Sequence, residues 1–345
     1  MDRLRIGLIG YGYWGPNLVR NFGACPRTEP VAVCDASPAR RAAVSRAHPG
    51  LATVATVDEL LELNLDAVAI ATPVSTHYPL ALRCLEVGKD VLVEKPLAGS
   101  AREAQLLADR AAKLGRVLMV DHTYLFSNAV RRMKQLVESG DLGDLQYVDS
   151  VRINLGLFQT DVNVIWDLAP HDLSIVEHLL GTPPRSISAW GCSHANPEIE
   201  DVAYVNVDYG EKLMANFHVN WLSPVKVRQM IVAGSKKSLI FNELNAAEPL
   251  KVYDRGIELS EAEESRLRVG YRTGDMWSPH IEPGEALQAM VTHFAECVRG
   301  EAEPVSDGRM GVRVVRLLEA ATRSIRAQGG RMVLPSIRQA EMVRG

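Results

Sequence analysis

The start of the chain constrains its fold more than any other stretch. Residues 4–9 are a short apolar run typical of a buried strand, residues 10–15 follow a Gly-x-Gly-x-x-Gly pattern, and helical apolar spacing comes next. Gly10 permits a tight turn, Gly12 lets a pyrophosphate approach the backbone, and Gly15 lets the helix pack closely on the strand. This order predicts a dinucleotide site. The structural alternative is a surface turn whose glycines serve only backbone geometry.

An acidic residue follows where a dinucleotide site needs one. The second apolar run, 31–34, ends in Asp35, about twenty residues after the last glycine of the turn. A carboxylate there accepts hydrogen bonds from the adenosine ribose hydroxyls and repels the 2′-phosphate of NADP, so NAD is the predicted cofactor. NADP is the less favoured alternative, because Ser37, Arg40 and Arg41 follow closely and can hold a phosphate.

The first third of the chain alternates short apolar strands with helical patterns. Such alternation predicts right-handed βαβ units and an α/β domain of the Rossmann type, with a doubly wound parallel sheet, over residues 1–124. Ligands of such sheets lie outside the carboxyl ends of the strands, so the strand-end residues should line one crevice together with Asp121. The candidate cofactor-binding residues are Gly10, Gly12, Tyr13, Trp14, Gly15, Asp35, Arg40, Thr72, Pro73, His77, Glu94 and Lys95.

Alternating apolar and polar residues replace this pattern after about residue 125. They predict an α+β domain over 125–345 with an open-faced, mostly antiparallel sheet. Because few helices cover that sheet, we expect a homo-oligomer, a dimer or tetramer, formed through it. The charged segment 257–279 is expected to be an exposed excursion near the site or an interface. The alternating stretches are 146–157, 185–192, 201–209, 213–221 and 226–233, with a hairpin expected at 208–212.

Composition excludes several classes of partner. A net charge of −4 without a basic stripe argues against nucleic acid, and no uncharged apolar stretch approaches the eighteen residues of a membrane span. The first strand begins within four residues, which leaves no room for a signal peptide, so we expect a cytoplasmic protein. The five scattered cysteines form no CxxC pair and read as reduced thiols.

Five motifs, in order along the chain, match one known family. The chain resembles the Gfo/Idh/MocA oxidoreductases, the relatives of glucose-fructose oxidoreductase and inositol dehydrogenase. The resemblance implies an NAD(P)-dependent dehydrogenase for sugars, cyclitols or nucleotide sugars, with a Rossmann domain followed by an open-faced sheet domain. The motifs are the glycine turn with Asp35, Thr72-Pro73 followed by His77, Glu94-Lys95-Pro96, the run from Asp167 to His171, and residues 304–308.

Three residues are candidates for catalysis, because oxidation of a secondary alcohol needs a base and a group that stabilises the developing alkoxide. Lys95 follows a strand and can hydrogen-bond the reacting hydroxyl, although lysines on turns are more often simply exposed. Asp167 and His171 are four residues apart and should share a helix face. Pro170 suggests a helix start nearby, which would place His171 in the first turn and keep its ring neutral. Zinc binding by this pair with His178 lacks a ligand at convincing spacing, so no metal is predicted.

The substrate residues are harder to identify, because most candidates can equally lie on a wet sheet face or at a subunit interface. The runs 13–17 and 166–172 look most like those of enzymes that act on nucleotide sugars, and the 3-hydroxyl of a UDP-linked sugar is the specific expectation. Alternatives are a cyclitol dehydrogenase, a non-catalytic dinucleotide-binding regulator, and glycoside cleavage with retained NAD. The candidate substrate residues are His122, Tyr124, Arg152, Asn154, Asn163 and Arg228.

Overall fold

A computed structural model describes residues 2–156, 158–261 and 267–335, with side chains described outside 258–269. The chain divides into two compact units. The first unit contains Met1–Ser127 and Gly284–Arg316, and the second contains Asn128–Pro283 and the described residues from Leu317 onward. The sequence analysis had assigned all of 125–345 to one domain, so the return of 284–316 to the first unit is a difference in domain organisation.

The first unit is built on a parallel sheet. Its strands, within the described residues, are β1 (Leu4–Ile9), β2 (Thr28–Cys34), β3 (Ala52–Val54), β4 (Ala67–Ile70), β5 (Asp90–Glu94) and β6 (Leu118–Asp121). They are ordered β3-β2-β1-β4-β5-β6 and all pair in parallel, which confirms the predicted doubly wound sheet. Every residue of β4 is buried, as expected where both faces of a sheet are covered.

Helices connect these strands, and several begin at a side-chain cap. Ser37, Thr56 and Ser100 each accept a hydrogen bond from a backbone N–H in the first helical turn. The helices are α1 (Gly15–Ala24), α2 (Pro38–Ala47), α3 (Val57–Leu61), α4 (His77–Glu86) and α5 (Ala101–Leu114).

Two contacts explain why residues 284–316 return to the first unit. The helix α8 (Ala286–Val298) places Phe294 edge-on to Phe22, with 6.3 Å between ring centroids, and Glu285 pairs with Arg20 at 2.6 Å. Both partners lie on α1, far away in the chain. These two contacts cannot be predicted from the sequence, because α1 and α8 each have the pattern of an ordinary amphipathic helix.

The second unit is built on a nine-stranded sheet in the described residues. Among the strand pairs of the described residues only β7–β10 is parallel, so the predicted mostly antiparallel sheet is confirmed. Two helices of this unit are α6 (Asn128–Glu138) and α7 (Val164–Leu180), and α9 (Gly308–Arg326) is divided between the units after Arg316. In spatial order the strands are β14 (Leu267–Trp277), β13 (Leu250–Glu261), β12 (Ser238–Asn242), β11 (Leu222–Gly234), β7 (Leu145–Leu155), β10 (Leu213–Asn220), β9 (Val202–Gly210), β8 (Ser186–Cys192) and β15 (Met332–Val333).

Two predicted connections of this sheet can be compared with the structure. The hairpin expected at 208–212 joins β9 to β10 through Glu211 and Lys212, both with left-handed φ angles of 50° and 71°. The segment 257–279 was expected to be an exposed excursion near the site or an interface, and Tyr271 within it is 86% exposed. The segment forms most of the antiparallel β13–β14 pair, while 262–266 and Leu157, the end of one predicted strand, lie outside the described residues.

The two faces of this sheet differ in their side chains. On the inner face, which packs against α7, Val148, Ser150 and Arg152 of β7 are buried. On the opposite face, Tyr204 stacks on His218 with 4.3 Å between ring centroids and is 52% exposed. Tyr147, Trp190 and Met214 are exposed on the same face. These residues give the outer face a mixed aromatic and polar character.

Candidate active site

The glycine turn follows β1 and packs against the end of β4. Gly10 has φ +96°, and a Cβ there would collide with the carbonyl oxygen of Ala71. A Cβ on Gly15 would lie 2.5 Å from the carbonyl oxygen of Gly10. Gly12 differs, because its nearest neighbour would be the guanidinium of Arg40 at 3.8 Å. Two glycines are therefore required by packing, while the third faces open space beside a cation, which fits a bound diphosphate.

Asp35 lies at the end of β2, as the motif requires, and is buried at 7% exposure. Its Oδ2 accepts a hydrogen bond from Tyr11 N and its Oδ1 from Ser37 N, both at 2.8 Å. Each carboxylate oxygen has a further lone pair, so these contacts orient the group and leave acceptor capacity for ribose hydroxyls. Arg40 Nη1 lies 3.7 Å from Asp35 Oδ2. Arg41 instead donates to the backbone carbonyls of residues 35 and 36.

The two aromatic residues of the turn have different environments. Trp14 is half-buried, and its Nε1 donates to Asp121 Oδ2 at 2.9 Å. This bond ties the glycine turn to the end of β6, on the far side of the sheet order. Tyr13 is 85% exposed. Trp14 therefore helps to hold the turn in place, and its predicted contact with the cofactor stays a prediction, as does that of Tyr13.

A pair of carboxyl groups lies where β5 and β6 end. Glu94 and Asp121 are partners in the strand register, so their carboxyl groups lie at neighbouring strand ends. The Glu94 residue is half-buried, but its Oε1 atom is buried, and Oε2 accepts from Lys95 N at 3.2 Å. Burial, and then the negative charge of Asp121, raise the pKa of Glu94 well above its usual value. The neutral form of Glu94 is therefore favoured in the folded chain.

His122 follows this pair and was a predicted substrate contact. It is 1% exposed, and burial together with the charge of Lys95 lowers its pKa to about 3. The ring is therefore neutral and enclosed, which places it beneath the surface of the site. Tyr124 lies in a short 3₁₀ turn and is half-buried, so it is the more accessible of the two.

The helix α7 carries the other two catalytic candidates. Asp167 and His171 lie one turn apart on it, as their spacing predicted, and Asp167 Oδ2 accepts from Trp221 Nε1 at 3.0 Å. The helix begins at Val164, so His171 lies about two turns inside it. The prediction that His171 lies in the first turn, next to the positive end of the dipole, is wrong, because Pro170 lies inside the helix and not at its start.

The start of α7 also accounts for Asn163. Its side-chain oxygen accepts from Trp166 N at 3.2 Å, and its Nδ2 donates to Glu200 Oε2 at 2.8 Å. Asn163 is thus the helix N-cap and is buried. Both of its polar atoms have partners within the protein, which assigns it to helix capping and not to the predicted substrate contact.

Arg152 was predicted to reach substrate, and the structure places its side chain among carboxylates inside the second unit. Its Nε and Nη2 form a bidentate pair with Asp172 at 2.7–3.0 Å, and Nη2 lies 3.0 Å from Glu243 Oε2. The side chain is 3% exposed. Arg152 faces α7 because it occupies an inward position of β7, so its charge is neutralised inside the protein.

Arg228 has a different environment, although it lies directly opposite Arg152 in the β7–β11 register. Its Nη2 donates to Asn154 Oδ1 at 3.1 Å, its Nε is 3.9 Å from Glu243 Oε1, and that Nε has no hydrogen-bond partner among the described residues. The side chain is 14% exposed. The Nε of Arg228 is therefore a donor that the described residues do not use, whereas the Nε of Arg152 donates to Asp172.

Asn154, which accepts the hydrogen bond from Arg228, adjoins the side chain that supports Asp167. A Cβ on Gly156 would lie 3.0 Å from Asn154 Nδ2 and 2.9 Å from the Trp221 ring, whose Nε1 binds Asp167. The role of Trp221 in supporting Asp167 was not predicted. Its position at the end of an alternating stretch, on the inward parity, is the sequence signal that could have identified it.

In the part of the chain that the structure describes, no group of three or more His, Cys, Asp or Glu side chains can hold a metal ion. Within those same ranges no helix is both long and apolar enough to cross a lipid bilayer.

The parallel sheet, the glycine turn and the acidic strand end define a dinucleotide-binding oxidoreductase. Residues 4–122 match the family model described as "Oxidoreductase family, NAD-binding Rossmann fold", and residues 130–240 match the "GFO/IDH/MocA C-terminal domain". The chain belongs to the Gfo/Idh/MocA family of oxidoreductases, as the motifs indicated. The family model describes it as an oxidoreductase with an NAD-binding Rossmann fold.

Similar proteins act on more than one kind of substrate. A scyllo-inositol 2-dehydrogenase (NADP(+)) of Bacillus subtilis is 23% identical over 94% of this chain and 94% of its own. A UDP-N-acetylglucosamine 3-dehydrogenase of Acidithiobacillus ferrooxidans is 29% identical over 74% of this chain and 79% of its own. A solved structure of UDP-N-acetylglucosamine 3-dehydrogenase from the same organism has TM-score 0.80 and 25% identity, and the match covers 95% of this chain and 99% of that one.

The carboxyl pair predicts a pH dependence of stability. Because the pKa of Glu94 is raised in the folded chain, the folded state binds this proton more tightly than the unfolded state. The free energy of unfolding should therefore fall as the pH rises from the ordinary value of 4.5 through the raised pKa. Glu94→Gln, which keeps a neutral group, should flatten this slope when the Tm is measured against pH.

The matched control is Glu86→Gln. The hydrogen bond from Arg110 lowers the pKa of Glu86, so its effect on stability falls on the acid side and leaves the slope above pH 4.5 unchanged. A slope in Glu94→Gln equal to that of the parent would show that Glu94 is ionised in the folded chain.

Proposed function

We propose that this chain is an NAD-dependent dehydrogenase of nucleotide sugars, with the 3-hydroxyl of a UDP-linked sugar as the reacting group. The observation that supports this class over a neutral cyclitol is Arg228. It is a largely buried cation with donor capacity to spare, and its acceptor Asn154 adjoins the side chain that supports Asp167. A diphosphate or a sugar carboxylate is the chemistry that such a guanidinium binds best, through charge-assisted hydrogen bonds.

The first unit has the residues that fit the cofactor. Gly12 would lie against the diphosphate, and Asp35 would accept the adenosine ribose hydroxyls, with a preference for NAD because a 2′-phosphate would face its carboxylate. Thr72, Pro73 and Glu94 follow the strands on the other side of β1. When bound, the nicotinamide supplies the hydride acceptor.

Three residues of this chain act on the reacting hydroxyl group and its proton. The ammonium of Lys95 donates a hydrogen bond to the reacting oxygen and stabilises the negative charge that develops on it. The ring of His171 accepts the hydroxyl proton, and Asp167, fixed by Trp221, orients the substrate or the ring. The alcohol loses one hydride and one proton and becomes a ketone, so the step balances without a metal.

A variant at Lys95 tests this assignment. Lys95→Met keeps the length of the side chain and removes the ammonium, so kcat should fall by about a hundredfold or more, the usual size of an acid–base or charge-stabilising contribution. The NAD dissociation constant, measured by tryptophan fluorescence, should change less than about threefold. Lys113→Met, at an exposed position of α5, is the control. A Lys95→Met enzyme with the parent kcat would remove the proposed mechanism.

The substrate class is tested by a panel assay. UDP-linked hexosamines, UDP-linked uronates and free cyclitols are incubated with NAD or NADP, and NADH or NADPH is followed by absorbance. We expect turnover of a UDP-linked sugar with NAD. Turnover of cyclitols alone would contradict the proposed substrate, and glycosidic cleavage without accumulation of NADH would contradict the proposed reaction.

The variant Arg228→Gln tests whether Arg228 recognises the charged part of the substrate. Because a hydrogen bond to a charged group is worth about 1.5–3 kcal/mol, KM for the nucleotide sugar should rise about 10- to 100-fold. Any residual turnover of a neutral cyclitol should be unaffected. Arg185→Gln, an exposed arginine of the second unit, is the matched control. An equal loss on charged and neutral substrates would show that Arg228 acts through folding and not through recognition.

We also propose that the outer face of the nine-stranded sheet pairs with a second copy of this chain. Tyr147, Trp190, Tyr204 and Met214 expose large apolar groups on one face, which a monomer rarely does. Tyr204→Lys should lower the mass measured by light scattering after size exclusion, since a twofold interface presents the same substitution twice. Leu106→Lys, an exposed residue of α5, should leave it unchanged. A monomeric parent protein would contradict the proposal.

A further inference from the structure

His77 is the first residue of α4 and is 1% exposed. It was a candidate cofactor contact in the sequence analysis. In the structure both ring nitrogens lie against backbone carbonyls, Nδ1 at 2.8 Å from Pro96 O and Nε2 at 2.8 Å from Thr72 O. Both ring nitrogens thus face carbonyl oxygens inside the protein, and a neutral ring donates a hydrogen bond to one of the two.

The two carbonyls belong to different turns of the first unit. Thr72 lies in the turn after β4, and the same turn closes on Gly10. Pro96 lies in the turn after β5 and directly follows Lys95. Within the first of these turns, Thr76 Oγ1 is 2.7 Å from both Thr72 Oγ1 and Pro73 O. The His77 ring therefore joins the turn that packs on the glycine motif to the turn that carries Lys95.

The position of this link along the sheet gives it a mechanical role. The register between β4 and β5 ends at the Ile70–Val93 pair, so the ladder hydrogen bonds stop before Thr72 and Lys95. Beyond that point the two turns depend on side chains to keep their relative position. His77 links the two turns there, as the backbone hydrogen bonds link β4 and β5 before their ends. The link is rigid because the ring is buried.

The hydrogen-bond donors of the His77 ring are what a substitution removes. A neutral imidazole donates from one nitrogen, and the imidazolium donates from both. Burial lowers the pKa of His77, while the two carbonyls oppose that shift because they accept from the charged form. In either form at least one donated hydrogen bond is present. Phenylalanine keeps the ring and removes every donor, whereas glutamine keeps one amide donor.

We propose that His77 is a positioning residue, which fixes the Lys95–Pro96 turn against the Thr72 turn and so aligns the Lys95 ammonium with the reacting oxygen. It does so without contacting cofactor or substrate. The inference rests on the proposed catalytic role of Lys95 and goes beyond it. A displacement of the ammonium by about 1 Å is enough to lower a catalytic rate by about a hundredfold.

The test measures kcat, KM and NAD affinity for His77→Phe and His77→Gln. We expect His77→Phe to lower kcat about 10- to 100-fold, with both KM values and the NAD dissociation constant changed less than about threefold. His77→Gln should have an intermediate kcat. Cys84→Ala, a fully buried position on the same helix, is the control: it should lower the Tm and leave kcat unchanged.

A double variant separates this inference from the proposed function. If His77 acts through Lys95, His77→Phe should lower kcat no further in a Lys95→Met background. An additional full loss there, a parent-like kcat in both His77 variants, or a loss matched by Cys84→Ala would overturn the inference. If His77→Phe fails to fold, a parent-like kcat in His77→Gln overturns it alone. An active Lys95→Met enzyme would instead overturn the proposed function.

Discussion

In a parallel sheet the carboxyl ends of all strands lie at one edge, and the backbone ladder stops there. The candidate cofactor edge of this protein depends on side chains that continue the cross-links past that point. Asp35 accepts from Tyr11 N, Trp14 donates to Asp121, and His77 joins two turns. Each link connects segments distant in the chain, so the edge exists only once the sheet has formed.

In the second unit, the position of one carboxylate determines which of two neighbouring arginines forms a buried ion pair. Arg152 and Arg228 face each other across two strands on the inner face of one sheet. Asp172 forms a bidentate pair with Arg152, while Arg228, among the described residues, donates to Asn154 and lies 3.9 Å from Glu243. The same residue type is thus structural at one position and available at the next, because α7 places its carboxylate over one of them.

Most features that could be predicted follow from the local pattern of apolar and polar residues. The parallel sheet, the alternating strands and the shared helix face of Asp167 and His171 follow from periodicity, which depends on neighbours in the chain. The start of α7 could not be predicted this way, because Pro170 reads as a first-turn residue although Asn163 caps the helix a full two turns before His171. The return of 284–316 to the first unit also depends on contacts with a distant helix.

The sequence by itself determined the kinds of elements, their order and the edge at which the candidate cofactor residues meet, because these depend on residue type and spacing. Only the tertiary structure decided which of those residues are available and in what charge state. Burial, and then the negative charge of Asp121 on the next strand, raise the pKa of Glu94, while burial together with the charge of Lys95 lowers the pKa of His122. Burial and opposing charge are supplied by remote parts of the chain, and no local pattern contains them.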